Sequence, residues 1–257
     1  MCREKRQWRR LKRVALRWLK TGLKHVPRER TRHTPDRNLD FCVAESLLLH
    51  AKEFTETAFE AFRAGRYYSG LSCCRTIFEM AIKLRWCCLK KGTDRHDRYR
   101  SWVRETLKSE KRIRETFAKT APEQYHAGFQ GAAERLDADI QGLGDIERLP
   151  VFRLIYEEVA ASAPDPKDAQ FVRAALYEQL CKSVHAELDP DRYSDLVDGT
   201  ESRRARPKKP FDPEWGALCS IFWLVVSVHE ALGWPTKHLG NDLNHALLAI
   251  RQTARNS

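Results

Sequence analysis

With 257 residues, the chain is long enough to bury a substantial core without disulfides or a structural metal. Only 12 Gly and 11 Pro are present, and the eight Cys include no Cys-x-x-Cys pair, which excludes a loop-rich β protein and a secreted disulfide framework. The net charge of +11 is confined to the N-terminal arm, because residues 1–32 hold 13 Lys and Arg against Glu4 and Glu29. We therefore expect a reducing, cytoplasmic setting, and an anionic partner that meets this arm.

The N-terminal arm contains an amphipathic helix, predicted over residues 6–24. One face repeats cations every three or four residues, and another face repeats apolar side chains. The cations are Arg6, Arg10, Arg13, Arg17, Lys20 and Lys24, and the apolar residues are Trp8, Leu11, Ala15, Trp18 and Leu19.

Three functions fit this arm. It binds the phosphates of nucleic acid, with Trp8 or Trp18 stacking on bases; or it lies on an anionic membrane surface; or it docks its apolar face on the core or on a partner helix. An Arg-rich, acid-poor N-terminus also fits a mitochondrial presequence, whereas a secretory signal would need a continuous apolar core.

Helical periodicity, with Gly and Pro as breaks, divides the rest of the chain into helices. A charged linker is predicted over residues 27–38, and a basic loop over residues 198–212. The helices are predicted over residues 36–63, 67–91, 94–119, 122–143, 150–162, 168–188, 213–232 and 237–254. The sequence thus predicts an all-α bundle of about eight helices, divided into an arm with its linker over residues 1–35 and a single helical domain over residues 36–257.

The helix over residues 213–232 is the most apolar of these. Its uncharged run, Trp215 to Val228, is shorter than the roughly 20 residues that a transmembrane helix needs. We therefore predict a buried core helix there.

The helix over residues 67–91 is apolar nearly all round, so its few charges are informative. Arg75 and Glu79 lie four residues apart and face the same way. Charges inside a core are costly unless they are paired. Arg75 and Glu79 therefore form either a structural ion pair that fixes the register of the helix, or a polar site in which Arg75 binds anions and Glu79 orients Arg75.

The helix over residues 168–188 carries a second candidate. His185 borders its apolar face, and Tyr177 and Cys181 lie on nearly the same side. A His whose pKa is near neutrality, close to a Tyr and to acids, serves as a general base in many enzymes. The alternative is a hydrogen-bonded core histidine.

These two helices resemble a known family. Arg75-x-x-x-Glu79 after Tyr67, followed about a hundred residues later by Tyr177-x-x-Leu180-x-x-x-x-His185, resembles the bacterial helical family called domain of unknown function 5677, over roughly residues 40–232. The resemblance implies an all-helical bundle whose shared site, and here the candidate catalytic site, comprises Arg75, Glu79, Tyr177 and His185.

The family in turn resembles, more distantly, the HEPN ribonucleases of toxin and phage-defence systems. Those enzymes use an Arg and a His on one helix, without metal, on the ribose 2′-hydroxyl and the scissile phosphate. Their spacing is absent around His185, so Arg75 would have to supply the guanidinium from another helix.

Neither a metal nor a cofactor is predicted. Glu123-Gln-Tyr-His126 matches the Glu-x-x-His of di-iron bundles, but such a site needs a second motif and two further Glu, and Asp242-Leu-Asn-His245 is only a near match. Zinc spacing and a Gly-rich phosphate loop are also missing.

The sequence therefore predicts a bacterial helical accessory or effector protein that binds nucleic acid through its arm and acts on RNA at the candidate site, in a defence or toxin-like setting. Whether it is an enzyme stays open. One alternative is a non-enzymatic protein-interaction module, as a homo-oligomer or with a partner protein, in which the same residues form a structural network. The other is a peripheral membrane protein anchored by residues 6–24.

Overall fold

The computed structural model describes residues 2–30, 35–165, 167, 170, 172–178, 180–181, 213–236, 239–241, 243–245 and 248. Within these residues the chain forms helices and turns and contains no strand, which confirms the all-α prediction. The helices are α1 Cys2–Arg30, α2 Pro35–Arg63, α3 Tyr67–Cys88, α4 Gly92–Thr120, α5 His126–Gly142, α6 Phe152–Ala161 and α7 Pro213–Leu232, with a 3₁₀ turn at Glu123–Tyr125 and a π-helical turn at Arg173–Tyr177.

The predicted linker after the arm is too long. Helix α1 continues past Pro27 to Arg30, and α2 already begins at Pro35. A proline removes one backbone hydrogen bond and crowds the carbonyl group four residues before it, so a helix tolerates a proline best near an end. Pro35 occupies the first position of α2, where its missing donor has no partner in any case.

The chain forms two compact units. We call Met1–Arg85 with Tyr156–Ser257 the main unit, and Trp86–Ile155 the hairpin unit. In the main unit, α1, α2 and α7 pack on one another. The predicted division at residue 35 into an arm and a single domain stays a prediction.

The apolar face of α1 is buried in the main unit. Its buried side chains are Trp8, Leu11, Ala15, Trp18, Leu19 and Val26. Of the three alternatives for the arm, docking of the apolar face on the core is the arrangement observed. The basic face is therefore the face of α1 that meets solvent.

Helix α7 packs on both α1 and α2 and is the most apolar of the described helices. By length and composition alone, its segment Trp215–Leu232 is long and apolar enough to span a membrane, and it extends beyond the uncharged run Trp215 to Val228 on which the prediction of a core helix rests. The helix continues beyond Val228 because His229 and Glu230 do not interrupt it. Two-thirds of the segment (67%) is buried inside the protein, as in a core helix of a soluble protein.

The hairpin unit is built from α4 and α5, which pack together and are joined through the 3₁₀ turn. Lys111 Nζ lies 2.6 Å from Asp137 Oδ1, and Arg104 donates to the Ile146 carbonyl at 2.5 Å. Buried apolar side chains are few here, with Tyr99 and Ala133 among them. Charged side chains of α4 therefore make contacts both to α5 and to the segment that follows it.

Candidate functional site

Arg75 and Glu79 form the first part of a candidate site on α3. The Arg75 Nε atom donates to Glu79 Oε1 at 2.8 Å, as their spacing of four residues predicted. The two side chains are 20% and 24% exposed. The pair is therefore neither sealed in the core nor fully in solvent, and a ligand can reach its edge.

Tyr177 joins this pair from a distant part of the chain. Its hydroxyl donates to the same Glu79 Oε1 at 3.4 Å, and the Arg75 guanidinium lies 5.7 Å from the centroid of its ring. Tyr177 ends the π-helical turn Arg173–Tyr177. Such turns are rare and frequently occur at functional sites. We call Arg75, Glu79 and Tyr177 the α3 cluster.

Two aromatic rings hold Tyr177 in place. Its ring centroid lies 6.0 Å from that of the fully buried Phe78, and it stacks on Tyr156 with centroids 6.4 Å apart. Burial raises the pKa of Tyr177 well above its usual range, and the side-chain hydrogen bond to Cys181 and the charge of Glu79 raise it further. The phenol is therefore a neutral hydrogen-bond donor at physiological pH, rather than a base.

The negative charge of Glu79 favours the protonated form of the two cations beside it on α3, Arg75 and Lys83. Burial lowers the pKa of Arg75, but the hydrogen bond and the charge of Glu79 outweigh this effect and raise the pKa overall. Burial lowers the pKa of Lys83, and the negative charge of Glu79 opposes that shift. Sequence reasoning missed Lys83, although the spacing of four residues through 75, 79 and 83 places it beside Glu79.

The structure thus brings together three of the four predicted site residues. His185, the fourth, lies outside the described residues, so its position relative to the α3 cluster stays a prediction. A charged guanidinium, a carboxylate and a neutral phenol can bind and orient a polar or anionic group.

The second candidate site is the exposed face of α1. Five of the six predicted cations have described side chains, and all five are exposed: Arg10, Arg13, Arg17, Lys20 and Lys24. The side chain of Arg6 lies outside the described part of the chain. Arg9 is also exposed, and at about 100° per residue it lies on the same arc of the helix as the other cations. The sequence-based prediction did not include Arg9. We call Arg9, Arg10, Arg13, Arg17, Lys20 and Lys24 the basic stripe.

A shallow, open recess lies between side chains on the basic stripe. It is lined by Arg13, Leu16, Arg17, Lys20, Thr21 and Lys24. The Arg13 Nε atom donates to the Arg9 carbonyl at 3.4 Å, and this bond uses one of the five donors of the guanidinium. This face of α1 therefore concentrates positive charge and N–H donors, which suits a ligand that carries several phosphate or carboxylate groups.

The predicted stacking of Trp8 or Trp18 on bases is incompatible with the structure. The two side chains are only 2% and 4% exposed. Trp8 stacks on Phe62, and Trp18 packs edge-on against Phe222. Their burial follows from the amphipathic pattern itself, because the apolar face of a helix is covered wherever a complementary surface is available.

The histidine of the Glu-x-x-His motif, His126, contacts a backbone carbonyl group five residues before it. His126 lies at the start of α5, and its Nε2 atom is 2.5 Å from the Ala121 carbonyl oxygen. Among the described residues, no group of three or more His, Cys, Asp or Glu side chains is arranged to hold a metal ion.

No family model, no curated protein and no solved structure matches the chain. The resemblances to the helical family and to the HEPN ribonucleases therefore stay predictions.

Proposed function

We propose that the protein binds nucleic acid through the basic stripe of α1. The observation that carries this proposal is the exposure of six cations on one face of a helix whose opposite face is buried. A row of Lys and Arg on a fixed helix releases counterions when it contacts a polyanion, which favours binding without any base-specific contact. In this proposal the protein is an accessory or effector protein of the bacterial cytoplasm.

Burial of the apolar face makes the membrane alternative less favourable. Interfacial helices bind membranes by inserting Trp and Leu between headgroups, with electrostatic attraction as an addition. In α1 the side chains that would insert, such as Trp18 and Leu19, are buried in the main unit. The basic stripe would then offer a membrane only its charge.

Fluorescence anisotropy with labelled nucleic acid tests this proposal. The test variant reverses Arg13, Arg17, Lys20 and Lys24 to Glu. The control variant reverses four exposed cations of the hairpin unit to Glu, so that the change in net charge is the same: Lys91, Arg112, Lys119 and Arg135.

Each phosphate contact adds about −0.9 to the log–log dependence of affinity on salt for duplex DNA. The test variant should lose about 3 to 4 of this slope and most of its affinity, whereas the control variant should keep both. Equal losses in the two variants would refute the basic stripe as the binding site. Circular dichroism and urea unfolding confirm that both variants are folded, and sedimentation with vesicles containing anionic lipid measures the membrane alternative.

Cleavage of RNA is a second candidate function, favoured by one observation. Arg75, Glu79 and Tyr177 converge at a partly exposed position although Tyr177 is 98 residues from Glu79. In a metal-free mechanism Arg75 would bind the scissile phosphate, Glu79 would orient Arg75, and His185 would accept the proton of the 2′-hydroxyl.

A ribonuclease assay on total RNA and tRNA tests this second function, with and without divalent metal. Cleavage by the full chain that disappears in His185→Ala, and falls strongly in Arg75→Lys, would support it. No cleavage by the folded wild type would leave the α3 cluster as a structural network in a non-enzymatic interaction module.

A further inference from the structure

We infer that the basic stripe binds the phosphate backbone of double-stranded nucleic acid, DNA or RNA, in preference to single strands. This inference rests on the proposed binding of nucleic acid, and it names the class of ligand. It follows from the spacing of the cations, from the burial of the aromatic side chains of α1 and from the rigid attachment of the helix.

The spacing of the cations suits a densely charged ligand. From Arg9 to Lys24 the helix rises about 22 Å, so the basic stripe offers roughly one cation every 4 Å. A duplex presents one phosphate charge about every 1.7 Å along its axis, whereas one strand presents one about every 3.4 Å. Along the same 22 Å a duplex therefore offers about twice as many phosphates, and more of the cations find a partner.

The cations also lie on two edges of the basic stripe. At about 100° per residue, Arg9 and Lys20 fall near one edge of the arc, and Arg10 and Arg17 fall near the other. Phosphates of a duplex line both sides of each groove. An arrangement with two edges can contact both rows at once, whereas a single strand supplies only one row.

Among the described side chains of α1, the basic stripe includes none of the aromatic rings that single-strand binders use. Such proteins stack bases on exposed aromatic rings. On α1, Trp8 and Trp18 are buried. His25 is the one exposed ring among the described side chains of this helix, and it lies edge-on to Trp234 at 6.1 Å. Without stacking, the basic stripe contacts a nucleic acid through its phosphates, and phosphate contacts carry no direct information on base sequence.

Rigid attachment of α1 favours a rigid ligand. Stacking of Trp8 on Phe62 and the ion pair between Lys12 Nζ and Glu60 Oε1, 3.7 Å apart, hold α1 against α2. The helix that carries this row of cations is therefore fixed in place. A duplex meets this row without ordering its own backbone, whereas a flexible single strand loses conformational freedom on binding.

The experiment measures the affinity of the full chain for 24-nucleotide ligands by fluorescence anisotropy at 100 mM salt. The ligands are a DNA duplex, an RNA duplex of the same sequence, and the separate strands, which are designed without self-pairing. At least one duplex should bind about 10-fold or more tightly than either of its strands. The reversal variant of the basic stripe should bind all the ligands weakly, and the hairpin-unit control should bind like the wild type.

The outcomes separate the inference from the function on which it rests. If neither duplex binds more tightly than its own strands, the preference for duplexes is wrong while nucleic-acid binding stands. If no ligand binds, the proposed function itself fails. Tighter binding of one duplex than of the other supports the inference and identifies whether DNA or RNA is the ligand.

Discussion

The indole ring of Trp8 stacks on the ring of Phe62, with centroids 4.8 Å apart and an interplanar angle of 21°. A second ring, Phe59, meets Trp8 edge-on at 5.8 Å. These contacts fix α1, and with it the basic stripe, to the main unit. The functional proposal therefore depends on this packing as much as on the charges themselves.

Replacing Trp8 with Ala should destabilise the main unit. The side chain is 2% exposed, so its removal loses its hydrophobic burial and leaves a cavity between α1 and α2. We expect a loss of about 3 to 5 kcal/mol in the free energy of unfolding, measured by urea denaturation. Leu49→Ala is the control, because Leu49 is 49% exposed and should lose less than about 1 kcal/mol. Similar losses in both variants would show that Trp8 contributes nothing special to the packing of α1.

A close approach between α2 and α3 makes Gly70 sensitive to substitution. A Cβ atom at this position would overlap the ring of Phe62, the same ring on which Trp8 stacks. Gly70→Ala should therefore lower the free energy of unfolding by about 1 to 3 kcal/mol, even though Ala is the better helix former.

A second glycine in a helix provides the matched control. Gly128 lies in α5, and a Cβ atom there would meet nothing within 4 Å. Gly128→Ala should raise the free energy of unfolding by about 0.5 to 1 kcal/mol, because only the intrinsic preference of the helix changes. A Gly70→Ala variant that is stabilised to the same degree would contradict the close approach.

The helices could be predicted because their signals are local. Apolar spacing marks the buried faces, and Gly65 and Gly233, which adopt φ of 74° and 72°, lie at two of the predicted breaks. The extent of α1 beyond Pro27 could not be predicted, since a proline weakens a helix without fixing where it ends. Periodicity also identified the apolar face of the arm, but the partner that covers Trp8 is set by tertiary packing.

In the candidate site, too, the local contact could be predicted from the sequence, whereas the long-range contact could not. The contact between Arg75 and Glu79 is local and followed from their spacing of four residues. Tyr177 reaches Glu79 through the packing of distant helices and through a π-helical turn, which the period of 3.6 residues does not encode. The sequence suggested that Tyr177 shares a site with Arg75 through a family resemblance, and the contact itself required the structure.

The bond between Tyr177 and Glu79 can be measured by a double-mutant cycle. Tyr177→Phe, Glu79→Gln and the double variant are compared by urea unfolding at neutral pH. A hydrogen bond to a charged group contributes about 1.5 to 3 kcal/mol at good geometry, and the long 3.4 Å separation reduces the expected coupling energy to about 0.5 to 1.5 kcal/mol.

Purely additive effects would contradict a direct interaction between these two side chains. The cycle of Arg75→Gln with Glu79→Gln is a positive control, because their 2.8 Å contact should couple more strongly.

Tyr156 should make the protein lose stability at alkaline pH. Burial raises the pKa of Tyr156 to about 12, although the charges of Arg173 and Arg85 lower it. In the unfolded chain the pKa is about 10, so the folded state holds the proton more tightly. This contribution to stability is complete below about pH 10, and it is lost as the pH rises to about 12.

Tyr156→Phe removes this titration and should reduce the loss of stability between pH 10 and pH 12 by about 2 kcal/mol. The measurement is urea unfolding of both proteins at several pH values across this range. Other tyrosines and the lysines titrate in both proteins, so the difference between the two isolates Tyr156. A loss of the same size in both proteins would show that Tyr156 ionises as readily in the folded state as in the unfolded chain.

The basic stripe should cost the protein stability, because it places like charges next to one another. Lys20 has Arg17 three residues before it and Lys24 four residues after it, and all three side chains are exposed. Such pairs each destabilise a helix by about 0.2 to 0.5 kcal/mol, and Lys20→Glu converts both into attractive pairs. We expect this variant to gain about 1 to 2 kcal/mol at low salt, because each of the two pairs changes from repulsive to attractive, and to bind nucleic acid more weakly. The gain should shrink towards zero at 1 M salt, where charges are screened beyond about 3 Å.

Arg135→Glu is the contrasting control, because Arg135 has Asp139 four residues after it and the variant should lose a small amount of stability. If Lys20→Glu were instead destabilised, Lys20 would hold a structural contact, and its exposure would not indicate a surface kept for an anionic ligand.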